Sequence, residues 1–174
     1  AGRVSGMELG WAQWTALVVA GLRLAELVYA RRNLMRLLAR GGQEHGARHY
    51  PLFVLLHGSW LLALFFLVHE ASVPSLQLLA LFAVLQVVRV WIIASLGPYW
   101  TTRIITLPDA PLVRRGPYRF LRHPNYLLVA VEIPLLPLAF GAWDIALLFG
   151  AANLALLAYR IRVEEAVLAG RRTL

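Results

Sequence analysis

The stretch from Arg114 to Glu132, RRGPYRFLRHPNYLLVAVE, holds a dense group of cationic and aromatic side chains in an otherwise apolar chain. Pro117 and Pro124 each fix one φ angle and bias the preceding residue away from helix, so this loop is predicted to be stiff. Pro124 also suits the first turn of a helix, where free N–H groups and a partial positive charge bind carboxylates or phosphates. His123 and Tyr126 flank that turn. The pattern predicts a receptor for an anionic, partly aromatic cofactor, although basic turns are also common beside membranes.

A second polar group lies near the C-terminus, in the segment NLALLAYRIRVEE. Asn153, Arg160 and Glu164 are spaced by seven and then four residues, which places them on roughly one stripe of a helix. A purely structural interpretation is that Arg160 extends its charge to a membrane surface and pairs with Glu164. The functional interpretation is that this stripe meets the Arg114–Glu132 loop at one end of a helical hairpin and completes a pocket with it.

The composition is that of a membrane protein. Hydrophobic residues make up 60% and charged residues 15% of the 174 residues, and the mean hydropathy is +0.65. A soluble domain of this size could not cover so much apolar surface with polar groups. The chain has no cysteine, which excludes disulfides and a cysteine nucleophile, and the scattered histidines predict no metal site. No glycine-rich phosphate motif follows a strand pattern, so no Rossmann domain is expected.

Five hydrophobic spans are predicted, which form a single all-α membrane domain over residues 7–174. They cover Leu9–Ala30, Tyr50–His69, Ser75–Leu96, Pro124–Phe140 and Asp144–Val163. The segment RRNLMRLLAR is expected either to continue the first helix or to lie in the membrane interface. Only GAW separates the last two spans, which predicts a tight antiparallel hairpin. Residues 1–6 are interpreted as an expression scar and RGGQEHG as a flexible loop, and no strand pattern is visible.

The placement of arginine predicts the orientation in the membrane. Arginines cluster between spans one and two, between spans three and four and at the C-terminus, whereas the connections EASVP and GAW contain none. By the positive-inside rule the arginine-rich side is cytoplasmic, which places the N-terminus outside and the C-terminus inside. We expect an integral protein of a bacterial inner membrane with its active site facing the cytoplasm. The net charge of +8 fits this asymmetry and attraction to anionic lipids, so no nucleic acid partner is predicted.

Ionisable side chains inside the spans raise further hypotheses because they are costly there. Arg23 and Glu26 lie three apart on one helical face and are predicted to pair. Three single polar residues are expected to form hydrogen bonds between helices: His57, Gln86 and Arg89. Glu132 has three open roles, since it could be neutral and buried, paired with Arg89, or part of the lining of a substrate cavity. The oligomeric state is left open.

The motif LVRRGPYRFLRHPNYL, followed by the hairpin and RIRVEE, closely resembles the isoprenylcysteine carboxyl methyltransferase family over about Leu96–Leu168. The segments RLAELVYARRN and HYPLFVLLH resemble its bacterial branch. The resemblance implies methyl transfer from S-adenosylmethionine, with a cofactor-binding half at about residues 97–174. It assigns Arg160 to substrate orientation and makes Arg160 and Glu164 the catalytic pair. The cofactor contacts that it implies are Leu112, Val113, Tyr118, His123, Pro124, Asn125, Tyr126 and Glu164.

The chemistry of these side chains agrees with the implied roles. His123 and the helix N-terminus suit the carboxylate of the cofactor, and Glu164 suits its ammonium and sulfonium groups. Arg160 could hold an acidic oxygen bidentately while staying charged, with Glu132 as a further candidate for substrate binding. The acceptor entering from the bilayer could be a prenylcysteine carboxylate or another lipidic acid, such as an alkylpyrone enol. The alternatives are a phospholipid N-methyltransferase, an NADPH-dependent sterol-type reductase, and a non-catalytic membrane protein or transporter.

Overall fold

The protein is built from five helices, and the computed structural model describes residues 9–107 and 113–172. The helices are α1 (Trp11–Ala39), α2 (Tyr50–Leu67), α3 (Leu76–Leu96), α4 (Pro124–Ala139) and α5 (Trp143–Arg172). The two strands are β1 (Gln43–His45) and β2 (Ile104–Thr106), and short 3₁₀ turns cover Ala47–His49, Gly97–Tyr99 and Gly116–Arg119. All five predicted helices are therefore present. The predicted expression scar and the predicted cofactor contact Leu112 lie outside the described residues.

Three helical segments in the described part of the chain are long and apolar enough to cross a membrane: Ala47–Leu67, Leu76–Tyr99 and Trp143–Val167. α4 is also apolar, but it has only 16 residues, and α1 carries Arg23 and Glu26 near its middle. These properties confirm an all-α integral membrane fold. The count of five complete spans stays a prediction.

The segment RRNLMRLLAR continues α1, which runs without a break to Ala39. The first of the two readings for this segment is therefore confirmed. Its arginines lie beyond the apolar part of the helix, and Asn33 is completely buried there. The side-chain amide of Asn33 donates to the backbone oxygens of Gly97 and Trp100, at 3.1 and 2.9 Å. This contact ties the end of α1 to the end of α3.

The last two helices form the predicted tight hairpin. Gly141 adopts a positive φ of 72°, a conformation that a side chain disfavours, and this lets the chain reverse within three residues. The N–H groups of Gly141 and Ala142 donate to Leu138 and Pro137, both at 3.0 Å. Gly150 of α5 lies beside Pro134, where an added Cβ would come within 3.4 Å of the proline ring. The hairpin is close-packed as well as short.

Pro137 lies inside α4 and cannot donate the hydrogen bond that Ile133 would normally accept. The indole nitrogen of Trp60, on α2, donates to the Ile133 oxygen at 3.0 Å instead. Trp60 is also among the most buried side chains of the core, together with Leu64 and Leu136. The tryptophan therefore satisfies a backbone group that a proline leaves unpaired, and it fixes α2 against α4.

A small antiparallel ribbon joins two loops on the arginine-rich side. β1 pairs with β2 so that Gln43 faces Thr106, Glu44 faces Ile105 and His45 faces Ile104. The expectation of a flexible RGGQEHG loop with no strand was therefore wrong. Strands of three residues are too short for an alternating pattern to show, and their partners lie about sixty residues away in sequence. The ribbon is set by tertiary contacts.

Candidate functional site

The loop before α4 is anchored on the end of α3. Gly116 adopts a positive φ of 56°, and an added Cβ there would lie 2.0 Å from the hydroxyl oxygen of Ser95. The adjacent Arg115 donates from Nε to the Ser95 backbone oxygen at 2.7 Å. Pro117 is buried in the 3₁₀ turn that follows. The close approach of Gly116 and these contacts hold the loop against α3.

The first turn of α4 leaves fewer free N–H groups than an ideal helix start. Pro124 carries none, and the N–H groups of Tyr126 and Leu127 donate to the His123 oxygen at 3.1 and 3.3 Å. Asn125 is therefore the residue of this turn whose N–H has no backbone partner among the described residues. Its side-chain oxygen is also buried without a partner. One residue thus offers both a donor and an acceptor at the helix start.

Tyr126 links α4 to α5. Its hydroxyl donates to the Glu164 carboxylate at 2.5 Å and accepts a hydrogen bond of 2.8 Å from Nε of Arg160. The His123 ring stacks on the Tyr126 ring, with centroids 5.2 Å apart, and its Nδ1 lies 3.9 Å from Glu164. Four of the predicted residues of the loop and of the α5 stripe are therefore brought together in one cluster, named the Tyr126 cluster: His123, Tyr126, Arg160 and Glu164. Asn153, the third residue of the predicted stripe, is not part of it and donates to the Val129 backbone oxygen at 3.3 Å.

His123 also presents a polar atom with no protein partner. Its Nε2 is buried and makes no hydrogen bond within the described part of the chain. Leaving a buried polar atom unpaired costs free energy, so this atom and the Asn125 side-chain oxygen are natural contacts for a bound polar molecule. Glu164, partly exposed, adds a carboxylate that a cationic group could face. These features fit a small ligand with both anionic and cationic groups.

Tyr118 lies in the 3₁₀ turn beside this cluster and packs against the buried side chains of Trp100, Ile92 and Leu128. Burial raises the pKa of the Tyr118 phenol above its ordinary value, and the negative charge of Glu164 adds to the rise. The phenol therefore stays protonated and can donate a hydrogen bond. Val113 is partly buried in the irregular loop before this turn.

Arg160 is the most constrained member of the cluster. It is only 9% exposed, and its Nη2 donates to the Thr102 backbone oxygen at 2.7 Å. The guanidinium also lies 5.0 Å from the centre of the Phe53 ring on α2 and 5.6 Å from that of Tyr126. Its Nη1 has no hydrogen-bond or ion-pair partner among the described residues. The contacts fix the guanidinium and leave one nitrogen available.

Thr102 and Phe53 were missed by sequence reasoning. Thr102 contributes a backbone oxygen, which any residue type could supply, so no sequence signal exists for it. Phe53 is one of many aromatic residues on an apolar helix, and only its position near the start of α2 distinguishes it. Both residues lie outside the loop before α4 and the α5 stripe, although Phe53 belongs to the segment HYPLFVLLH that resembles the bacterial branch of the family.

An apolar groove of about 620 Å³ runs between α2 and α5, and its lining on α5 extends to Tyr159, the residue before Arg160. Several of its side chains are half exposed or more, including Leu55 and Tyr159. Tyr159 precedes Arg160 in sequence, and its ring meets the buried His49 edge-on at 5.4 Å. The groove is therefore open to the outer, apolar surface of the helices, and its lining on α5 stops one residue before Arg160 of the Tyr126 cluster. It is lined by Leu52, Leu55, Leu56, Ser59, Ala152, Ala155, Leu156 and Tyr159.

Glu132 is not among the residues that line the groove. It belongs to a buried ionic network formed by Arg23, Glu26, Gln86, Arg89 and Glu132. One oxygen of Glu132 accepts from Arg23 at 2.9 Å and from Gln86 at 2.7 Å, while the other pairs with Arg89. Arg23 also pairs with Glu26 at 2.7 Å, as predicted. Of the three roles left open for Glu132, the structure shows the pairing with Arg89.

The network joins α1, α3 and α4 and balances two arginines with two glutamates. The expected bonds between helices are confirmed for Gln86 and Arg89. The expectation for His57 was wrong, because its Nδ1 contacts the Phe53 oxygen one turn earlier in the same helix at 2.8 Å. Among the described residues no group of three or more His, Asp or Glu side chains could hold a metal ion.

Two uncharacterized proteins are similar to this chain over most of its length. The uncharacterized protein YpbQ of Bacillus subtilis is 40% identical over 155 residues, covering 84% of this chain and 89% of that protein. An uncharacterized protein of Haemophilus influenzae is 27% identical over 162 residues, covering 88% of this chain and 92% of that protein. No solved structure gives a significant match.

Residues 78–170 match the model of the isoprenylcysteine carboxyl methyltransferase (ICMT) family. The matched segment includes α4, the loop before it and α5 as far as residue 170, and therefore all four members of the Tyr126 cluster. The match supports methyltransferase activity in a membrane, in agreement with the apolar helices. The chain therefore belongs to the isoprenylcysteine carboxyl methyltransferase family.

Proposed function

We propose that this protein transfers a methyl group from S-adenosylmethionine to an acidic oxygen of a lipidic acceptor. The observation that carries the proposal is the position of Arg160, which is held by Tyr126 and Thr102 with Nη1 left without a partner among the described residues. A buried, fixed cation with an available nitrogen suits an anionic oxygen. The lining of the groove between α2 and α5 extends to Tyr159, the residue before Arg160.

The cofactor would be held by the residues around the start of α4. The N–H of Asn125 and Nε2 of His123 are donors, or potential donors, without a partner in the part of the chain that the structure describes, and they suit a carboxylate. Glu164 is the nearby carboxylate that suits an ammonium or sulfonium group. Tyr118 and Tyr126 supply flat faces and protonated hydroxyls. Bound there, S-adenosylmethionine supplies a methyl group on a positively charged sulfur.

The acceptor would lie along the apolar groove with its acidic oxygen at Arg160. A carboxylate or a readily ionised enol is already a nucleophile near neutral pH, so the protein needs to supply alignment and the exclusion of water more than proton transfer. Because both partners of Arg160 are themselves fixed, little reorganisation is needed when the acceptor binds. A prenylcysteine carboxylate and an alkylpyrone enol both satisfy this chemistry.

The geometry argues against an amine as the acceptor. A phospholipid amine must be neutral to attack, and methyl transfer would leave a positive charge on its nitrogen beside the guanidinium of Arg160, which like-charge repulsion disfavours in a poorly solvated site. An acidic oxygen is attracted by the same group. We therefore favour transfer to oxygen over N-methylation of a phospholipid.

The test uses the full chain purified in detergent. Calorimetry should show binding of S-adenosylmethionine and none of NADPH. Methyl transfer is then measured to N-acetyl-S-farnesylcysteine, to an alkyl hydroxypyrone and to phosphatidylethanolamine. Methylation of either acid supports the proposal and identifies the acceptor class. Binding of NADPH alone would favour a reductase, and methylation of phosphatidylethanolamine alone would favour an N-methyltransferase.

A further inference from the structure

Arg103 is held from two sides at the start of β2. Its Nη1 donates to the Glu44 carboxylate on β1 at 2.7 Å. Its guanidinium also lies 4.6 Å from the centre of the Tyr50 ring, in a cation–π contact. The pair with Glu44 is partly shielded, with side-chain exposures of 34% and 21%. These contacts join β2 to the loop between α1 and α2.

The residues just before Arg103 connect this arrangement to the proposed acceptor site. The hydroxyl of Thr101 donates to the Arg103 backbone oxygen at 2.6 Å, which closes a tight turn around Thr102. The Thr102 hydroxyl lies 3.4 Å from the hydroxyl of Tyr50. On its other side, the Thr102 backbone oxygen accepts the 2.7 Å hydrogen bond from Arg160.

An arginine side chain has many rotatable bonds, so its guanidinium points in one direction only when its contacts are themselves fixed. Tyr126 is fixed because it belongs to a packed helix, α4. Thr102 lies in a loop, and a loop carbonyl by itself is a mobile acceptor. The β1–β2 pairing and the two contacts of Arg103 are what hold this carbonyl in place.

We propose that Arg103 is a positioning residue for methyl transfer, acting through the Thr102 carbonyl on the guanidinium of Arg160. This inference rests on the acceptor role proposed for Arg160. Glu44 and Tyr50, the two partners of Arg103, lie outside residues 78–170, the segment that matches the family. The first part of the chain therefore contributes to the site through the ribbon.

The experiment compares Arg103→Ala and Arg103→Lys with the matched control Arg48→Ala. Arg48 is an exposed arginine of the α1–α2 loop with no side-chain partner among the described residues. Arg103→Ala should lower kcat between about tenfold and a hundredfold, the range expected when a reacting group is misplaced. Affinity for S-adenosylmethionine should stay at the wild-type value. Arg103→Lys should recover most of kcat, because a lysine can still contact Glu44 and the Tyr50 ring.

A second readout follows Arg160 directly and needs no turnover. The Nε–H proton of Arg160 gives an NMR signal that Arg160→Lys identifies by its loss. Its exchange with water should be slow in the wild type and in Arg48→Ala, and faster in Arg103→Ala because the guanidinium loses its second anchor. The proposed function would be overturned if the wild-type protein bound S-adenosylmethionine but methylated neither acid. The exchange rate of the Arg160 Nε–H proton would still decide the role of Arg103 in that case.

Three results would overturn the positioning role. The first is wild-type kcat and slow Nε–H exchange in Arg103→Ala. The second is an equal loss of kcat in Arg103→Ala and Arg103→Lys, since the charge contacts would then not be the cause. The third is a parallel loss of cofactor affinity and thermal stability in Arg103→Ala, which would mark a structural residue.

Discussion

The hydroxyl of Tyr126 donates a 2.5 Å hydrogen bond to Glu164, although the two residues are 38 positions apart in sequence. The same oxygen accepts from Arg160, one turn earlier on α5. A phenol therefore separates the anion assigned to the cofactor from the cation assigned to the acceptor. Without it, Glu164 and Arg160, which lie four apart on one helix, would be free to pair with each other.

Tyr126→Phe should impair turnover and stability together. The variant leaves a buried donor on Arg160 and an acceptor on Glu164 without their partner, which should lower the free energy of unfolding by about 1–3 kcal/mol. It also allows Arg160 to turn toward Glu164, so methyl transfer should fall more steeply than stability. Thermal unfolding and initial rates measure the two effects. Tyr29→Phe, on the exposed side of α1, is the control, and an active Tyr126→Phe enzyme would contradict the separating role of the phenol.

His123→Ala should weaken binding of S-adenosylmethionine by at least about 1 kcal/mol, the scale of one lost hydrogen bond. The variant removes the unpartnered Nε2 as well as the ring that stacks on Tyr126. Calorimetry on the purified protein measures the affinity. His69→Ala, in the connection between α2 and α3, should bind the cofactor normally. Unchanged affinity in His123→Ala would remove this residue from the cofactor site.

Arg160→Lys and Glu164→Gln should fail at different steps. A lysine keeps the charge but cannot contact Tyr126 and Thr102 while presenting a further nitrogen, so we expect normal cofactor binding with most of the turnover lost. Glu164→Gln removes an anion that faces a cationic cofactor, so it should mainly weaken cofactor binding. Affinity by calorimetry and methyl transfer to a lipidic acid separate the two steps. Near-normal turnover in Arg160→Lys would show that Arg160 places a charge at the membrane surface and does not orient the acceptor.

Glu132→Ala should destabilise the protein strongly. The substitution leaves Arg23 and Arg89 buried with Glu26 as their one acidic partner, and breaking a buried ion pair in this way costs about 3–5 kcal/mol. Thermal and denaturant unfolding in detergent measure the loss. Glu70→Ala, at an exposed loop position, should be neutral. A stable Glu132→Ala protein that has lost only acceptor binding would return Glu132 to the substrate-binding residues.

A reporter fused to the C-terminus should be active only on the cytoplasmic side of the membrane. The expectation follows from the arginines, which lie at the end of α1, in the α1–α2 and α3–α4 loops and near the end of α5 but not in the two opposite connections. A matched fusion in the Glu70–Pro74 connection should report the external side. Activity of the C-terminal reporter outside would reverse the proposed orientation and place the Tyr126 cluster on the external face.

The helices were predictable because each is a long apolar run bounded by glycine, proline or arginine. The two halves of the Tyr126 cluster were predictable for a similar reason, since the stripe through Arg160 and Glu164 follows the helical repeat and the hairpin is too short to separate it from Tyr126. Contacts made by backbone atoms were not predictable. Thr102 holds Arg160 through a carbonyl, and the three-residue strands that support it have no pattern of their own.

The partners inside the membrane were only partly predictable. Arg23 and Glu26 are neighbours on one helix, so their spacing alone predicts the pair. Glu132 meets three side chains from two other helices, and no spacing in one sequence reports that geometry. His57 shows the opposite error, because a polar residue on an apolar helix can use its own backbone instead of a neighbouring helix.

The position of the groove between α2 and α5 has an energetic consequence for an acceptor that arrives from the bilayer. A hydrocarbon chain moving from lipid into a groove lined by leucine and alanine exchanges one apolar environment for another, so it gains little from the hydrophobic effect. The groove would then set the direction in which the hydrocarbon chain of the acceptor lies. The few polar atoms near the end of the groove would then discriminate between acceptors. The length of the hydrocarbon chain would determine how much acceptor partitions into the membrane.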